Sequence, residues 1–186
     1  LSLNEEARRL RSQGHPVIHL GIGEPKNPAP ITAVLGSSAK LKAGDIKYVP
    51  TDGTPSLKKA IIRYTEENYG RLVAPENVIV SNGAKQSLYN ILYTLLNPQD
   101  EVIIIAPHWV SYPEMVRMLY GIPVIVVPED GTFVPRMQDI EEATSSYTKA
   151  MIINSPNNPS GAVYPEELIA DIVDYCERKG IYPVSY

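Results

Sequence analysis

Gly83-Ala84-Lys85 is a place where this sequence can hold an anion. It stands where an apolar run gives way to a helix pattern. Small residues there leave backbone N–H groups accessible, and a helix N-terminus favours negative charge. A lysine in the first turn opposes the helix dipole. It either serves a bound anion such as a phosphate or is a solvated side chain on an ordinary tight turn. Trp109, the only tryptophan, offers a flat ring that either anchors a partly buried core or stacks on a planar ligand. Asn157-Asn158-Pro159-Ser160-Gly161 is either a proline turn or a source of amide donors for a ring hydroxyl or carboxylate.

Other reactive residues point away from other chemistries. Cys176 is in register with Ile169, Ile172 and Val173 on one helix face and reads as core. His15, His19 and His108 have no metal-ligand spacing, although His108 follows a strand end. Glu66-Glu67, Glu141-Glu142 and Glu166-Glu167 read as solvated helix faces. Gly21-Ile22-Gly23 fails as a dinucleotide fingerprint, because a third glycine is missing and Pro25, Pro28 and Pro30 forbid the helix that must follow. Neither a phosphate-binding GxxxxGK[ST] loop nor a nucleophile elbow occurs.

The elements that must position these residues alternate. Residues 4–13 read as a helix and 17–20 as a short strand, before the irregular Gly- and Pro-rich stretch 21–30. Residues 31–43 are helical. Thr54-Pro55 opens another helix, with Leu57, Ala60, Ile61 and Tyr64 as its apolar face and Gly70 as its stop. Apolar runs at 78–80, 102–106, 124–127, 151–154 and 182–185 then alternate with helices. The first of these helices carries Ala84, Leu88, Ile91, Leu92, Leu95 and Leu96 on one side; the others fall at 109–120, 136–143 and 165–179. Short apolar strands alternating with amphipathic helices predict an α/β fold with a mostly parallel sheet. In such sheets ligands bind beyond the carboxyl ends of the strands, and that is where the distinctive residues fall.

Composition narrows the partners. The chain has 186 residues and a net charge of −4, so neither a broad nucleic-acid footprint nor nucleic acid as a partner is expected. With 44% apolar and 20% charged residues, it reads as a packed core. No apolar run approaches the roughly 20 residues of a membrane span, so no membrane role is expected. A single cysteine suits a reducing compartment, which with a charged N-terminal helix and no expected signal peptide points to the cytoplasm.

Five motifs occur in order: Gly21-Ile22-Gly23-Glu24-Pro25, Tyr48-x-Pro50-Thr51-x-Gly53, Ser81-Asn82-Gly83-Ala84-Lys85-Gln86, Pro107-x-Trp109-Val110-Ser111-Tyr112, and Asn154-Ser155-Pro156-Asn157-Asn158-Pro159-Ser160-Gly161. With them, residues 3–185 resemble the N-terminal half of a pyridoxal-phosphate-dependent class I/II aminotransferase of the aspartate-aminotransferase-like kind. The resemblance implies a three-layer α/β large domain that is incomplete here. Residues 1–35 would be the N-terminal arm and part of the small domain, and 36–186 the N-terminal portion of the large cofactor-binding domain. It also implies pyridoxal 5'-phosphate as cofactor, amino acids and 2-oxo acids as substrates, and a homodimer with shared active sites. Gly83, Ala84 and Lys85 would hold the cofactor phosphate, Trp109 would stack on its ring, and Asn158 would hydrogen-bond the ring oxygen. Gly23 would lie in the loop that meets the substrate carboxylate. Tyr48 would reach the phosphate of the neighbouring subunit.

The departures from the family pattern carry expectations of their own. The Schiff-base lysine and the carboxylate-clamping arginine are expected beyond residue 186, so this chain alone is expected to be inactive and its sheet to expose an unpaired edge. The family's aspartate after the serine of the last strand is missing, since Tyr186 follows Ser185 directly. Either the chain end is altered, or residues are missing between Ser185 and Tyr186, in which case Tyr186 would be the tyrosine that contacts the ring oxygen. A C–S lyase on the same scaffold and a non-catalytic pyridoxal-phosphate-binding domain are the alternatives.

Overall fold

The computed structural model describes residues 2–18, 23, 27–44 and 46–186. They fall into two units, Leu1–Val49 and Pro50–Tyr186. In the first unit, α1 (Ser2–Ser12) carries a surface ion pair between Arg9 and Glu6 at 2.5 Å. The Arg11 guanidinium donates to the Val17 carbonyl at 3.1 Å. α2 (Ile31–Lys42) starts after Pro30 and buries no residue; Ile31, Leu35 and Leu41 are all exposed. Of the expected strand at 17–20, residues 17 and 18 are irregular, and His19 and Leu20 lie outside the described residues.

The second unit is a three-layer α/β sandwich. Its sheet contains β1 (Glu101–Ile105), β2 (Ile122–Val126), β3 (Thr148–Ile153) and β4 (Tyr182–Ser185), in the order β2-β1-β3-β4. All neighbours are parallel. The apolar runs of β1 and β3 form the centre and are buried on both faces, as parallel strands under two helical layers must be. Strand alternation divides them. Ile103, Ile105, Met151 and Ile153 pack with Ile140 of α6 (Met137–Ala143) and with Ile172, Tyr175 and Cys176 of α7 (Glu166–Lys179). Val102, Ile104, Ala150, Ile152 and Val184 pack with Leu88 and Leu92 of α4 (Ala84–Leu95) and with Tyr112, Met115 and Val116 of α5 (Ser111–Met118). Cys176 is fully buried, and burial pushes its thiol up, as an inert core residue requires.

Helix ends follow the sequence signals. α3 (Pro55–Tyr69) opens with the Thr54 hydroxyl accepting the Leu57 N–H at 3.3 Å and stops at left-handed Gly70. Its packed side differs from the expected one. Leu57 and Tyr64 are exposed, whereas Lys58 is buried, with Ile61, Ile62 and Thr65 half-buried beside it. The inner face is thus turned by about one residue, because Lys58 finds an acidic partner there.

Residues 78–80 also differ from expectation. They are not assigned as a strand, and the Val80 N–H bonds instead to the Asp52 carbonyl at 3.0 Å. An extended segment becomes a strand only beside a neighbour that completes its hydrogen bonds, and none stands there among the described residues.

β4 is an edge of the sheet. The Tyr186 N–H donates to the Ile153 carbonyl at 3.0 Å, so even-numbered residues bond toward β3. Pro183 faces away from β3, at a position where the missing N–H breaks no ladder bond. At the amino end of the sheet, Glu101 closes a network. Its carboxylate accepts the Ser145 hydroxyl at 2.5 Å and the Thr148 hydroxyl at 3.2 Å. Ser145 N–H donates to the Thr148 hydroxyl at 2.9 Å.

Candidate functional site

Three loops and one helix start meet at the carboxyl end of the sheet. Gly83 caps α4 with φ +81°, a left-handed conformation open to glycine, and no atom lies within 4 Å of where a Cβ would sit. The turn before it is tied internally. Asn82 N–H donates to Gln86 Oε1 at 2.6 Å, and the Ser81 hydroxyl bonds the Gly83 carbonyl at 3.2 Å and pairs with the Ser87 hydroxyl. The Ala84 and Lys85 N–H groups have no hydrogen-bond partner among the described residues. Two donors therefore remain open at the positive end of a 12-residue helix.

After β1 the chain passes through Pro107 and His108 to Trp109, which is half-buried. The Lys85 ammonium lies 4.7 Å from the centroid of the Trp109 ring. This contact joins the α4 turn to the loop after β1. Trp109 meets Tyr112 edge to face at 5.6 Å and lies nearly parallel to Tyr186, with centroids 5.9 Å apart and 14° between planes. Two stacked contacts of about 3.5 Å would need roughly 7 Å, so no third ring fits between them. A planar ligand ring and the Tyr186 ring therefore exclude each other on that face of Trp109.

The loop after β3 divides its asparagines. Asn157 is buried, and its amide donates to the Pro107 carbonyl at 2.8 Å and to Ser160 Oγ at 2.7 Å. Asn154 donates from Nδ2 to the Tyr186 carbonyl and accepts the Asn158 N–H through Oδ1, both at 2.8 Å. Asn158 is exposed, and its side-chain amide has no partner among the described residues. One asparagine therefore frames the site and the next keeps its amide available.

Beneath the aromatic pair lies Tyr112, 1% exposed, whose hydroxyl has no hydrogen-bond partner among the described residues. Burial, followed by the neighbouring Tyr186 and Tyr164, pushes its phenol up to about 12. It therefore stays protonated and able to donate at neutral pH.

Of the residues singled out from sequence, the structure brings together Gly83, Ala84, Lys85, Trp109 and Tyr186, with Asn158 on the loop bound to the same strand ends. Tyr48 and Gly23 belong to the first unit and are both exposed. Gly21, Ile22, Glu24 and Pro25 lie outside the described residues. Sequence reasoning quoted Tyr112 within a motif without giving it a role, and chose Asn158 for the ring oxygen while giving Asn157 no role of its own.

These residues fit an anionic, planar ligand such as pyridoxal phosphate. The open amides and Lys85 suit its phosphate, Trp109 suits its ring, and the Tyr112 hydroxyl and the Asn158 amide are polar groups without partners among the described residues. Among the described residues no cluster of metal-ligating side chains occurs, and no helix is long and apolar enough to cross a membrane.

The sequence matches the family described as aminotransferase class I and II over residues 15–185. It is 40% identical to the aspartate/prephenate aminotransferase of Thermus thermophilus, an alignment that covers 100% of this chain and 48% of that protein. With the aspartate aminotransferase of Geobacillus stearothermophilus the identity is 39%, covering 100% of this chain and 47% of the relative. The solved structure of Thermotoga maritima aspartate aminotransferase superposes with a TM-score of 0.93 at 36% identity, covering 99% of this chain and 49% of that one. The chain thus spans about half the length of the curated relatives it matches.

Proposed function

The chain belongs to the class I and II aminotransferases, and from that premise we propose that it forms part of a pyridoxal-phosphate-dependent enzyme that moves an amino group from an amino acid to a 2-oxo acid. The names of its relatives favour aspartate as amino donor, and favour transfer over C–S elimination or a non-catalytic role. The observation that carries the reading is the Lys85–Trp109 contact at the carboxyl end of the sheet, beside the two open amides of α4. When bound, the cofactor supplies an electron-withdrawing ring that can stabilise negative charge at the amino acid's α-carbon.

The chain's own residues hold and orient. Ala84 and Lys85 would donate backbone N–H groups to the phosphate, with Gly83 giving close approach and the Lys85 ammonium adding charge. Trp109 would lie against the ring, Asn158 would donate to the ring oxygen, and Tyr186 would move off Trp109 to the same oxygen. Gly23 would stand in the loop that receives the substrate carboxylate. Tyr48 is fully exposed, as a side chain reaching into a neighbouring subunit must be. This supports a homodimer with shared sites, in the cytoplasm. The arm would end near residue 35, and 36–186 would form the start of the large domain.

Lys179, the described lysine closest to the last strand in sequence, ends α7 and lies over the Tyr175 ring at 5.7 Å. That places it at the amino end of β4, away from the site. The lysine that must attach the cofactor covalently would therefore be supplied from outside these 186 residues. The test is an amino-transfer assay with aspartate and a 2-oxo acid, with and without pyridoxal phosphate. It is run on the pure 186-residue chain and on a polypeptide that continues it to the length of its relatives. Turnover from the longer polypeptide alone, dependent on the cofactor, is the expected result. Clear turnover from the pure chain would show that its own lysines suffice.

A further inference from the structure

Lys58 is the only residue of α3 that is buried, on a helix whose Leu57 and Tyr64 remain exposed. Removing an ammonium from water is unfavourable unless a charge meets it. The Lys58 Nζ pairs with Asp52 Oδ2, in the turn that precedes α3. The Asp52 side chain is half exposed, and a partly buried ion pair is a weak source of stability compared with a well-packed apolar side chain. Its position suggests a different use.

Asp52 grips the chain from its other side as well. Its carbonyl accepts the Val80 N–H at 3.0 Å. The next residue, Gly53, has φ +111°, and a Cβ there would sit 2.4 Å from Val80 Cγ2. Val80 is thus held by a hydrogen bond and by a close contact that only glycine permits. The 78–80 segment has no strand ladder to fix it. Three residues later it becomes Gly83, and then the open amides of Ala84 and Lys85. Whatever fixes Val80 sets where those amides point.

We propose that Lys58 and Asp52 are positioning residues for the phosphate-binding turn, their ion pair holding the 50–54 turn against Val80 and so the start of α4 in register for a phosphate. This rests on the phosphate role given to Gly83, Ala84 and Lys85 above. The hydrogen bond from Lys58 also holds the Asp52 carboxyl below its usual range, so Asp52 is charged at neutral pH.

The test uses the full 186-residue chain and Trp109, its only tryptophan, as fluorescent reporter. Pyridoxal phosphate and pyridoxal, which lacks the phosphate, are titrated into wild type, Lys58→Met, Lys58→Arg and Asp52→Asn, with thermal unfolding recorded for each. Wild type should prefer the phosphorylated ligand. Lys58→Met and Asp52→Asn should reduce that preference on the order of tenfold, or about 1.4 kcal/mol, with pyridoxal binding nearly unchanged. Lys58→Arg should keep it, because the charge remains. If folded variants retain the full preference, or lose both ligands in parallel, the pair is only structural and the proposal falls. Should Lys58→Met fail to fold, Asp52→Asn decides by the same criterion. A wild type with no preference for the phosphorylated ligand would overturn the phosphate reading itself, a distinct result.

Discussion

The two ends of the sheet in the second unit are built from similar polar residues and differ in how completely those residues are satisfied. At the amino end, Glu101, Ser145 and Thr148 bond one another. At the carboxyl end, the amides of Ala84 and Lys85, the side chain of Asn158 and the hydroxyl of Tyr112 lack partners among the described residues. Ala84, Lys85 and Asn158 are exposed and can turn to water. This end reads as capacity held for a ligand because they converge there with Tyr112, the buried member, and a native chain normally satisfies its buried polar groups.

The largest test of that contrast is Asn157→Ala. Asn157 is the closed element within the open end, joining the loops after β1 and β3. Its loss should lower the unfolding free energy by about 2 kcal/mol and weaken pyridoxal phosphate binding as well, measured by urea unfolding and dialysis. Unchanged binding would show that the loops hold their places without it.

Tyr112→Phe should act with the opposite sign. Removing an unpartnered buried hydroxyl should stabilise the ligand-free chain by about 1 kcal/mol at neutral pH. The phenol also sets an alkaline limit. Its folded value of about 12 stands above the ordinary 10, so its neutral form is favoured by folding. That contribution is complete below pH 10 and is lost as pH rises through 12. Wild type should therefore lose more stability than Tyr112→Phe across that window. Destabilisation by Tyr112→Phe at neutral pH would mean that the hydroxyl has a partner in solution, and the contrast between the ends would narrow.

The smallest effect belongs to the closed end. Glu101→Gln keeps the shape and removes the charge that two hydroxyls meet, at a partly exposed site. A loss below about 1 kcal/mol is expected, with ligand binding untouched. Altered pyridoxal phosphate affinity here would show that the two ends communicate through β1.

Much of the architecture was legible because the central strands carry short apolar runs and the helices carry caps such as Thr54 and Gly70. The convergence of Lys85 and Trp109 was legible from one rule, that ligands collect beyond strand carboxyl ends. Failures came where a partner distant in sequence decides. The 78–80 segment has strand composition, yet the N–H groups of Val78 and Val80 bond to Pro75 and Asp52 rather than to a neighbouring strand. α3 turns by one residue because Lys58 reaches an acid six positions away in a loop, outside the i+3 and i+4 neighbours that helical periodicity weighs. The resemblance marked Asn158, but the framing role of Asn157 follows from its facing the Pro107 carbonyl, which adjacency in sequence cannot show.

Pro183 carries a consequence for how copies of this chain behave when crowded together. The exposed rim of β4 is a surface on which a foreign strand can dock, and repeated docking is how ordered aggregates grow. Along that rim the imide nitrogen of Pro183 offers nothing to bond, leaving Ser185 as the outward N–H of the strand. An arriving strand would pair at one point and miss at the next, so growth from this rim is interrupted by the residue's covalent chemistry, whatever the concentration.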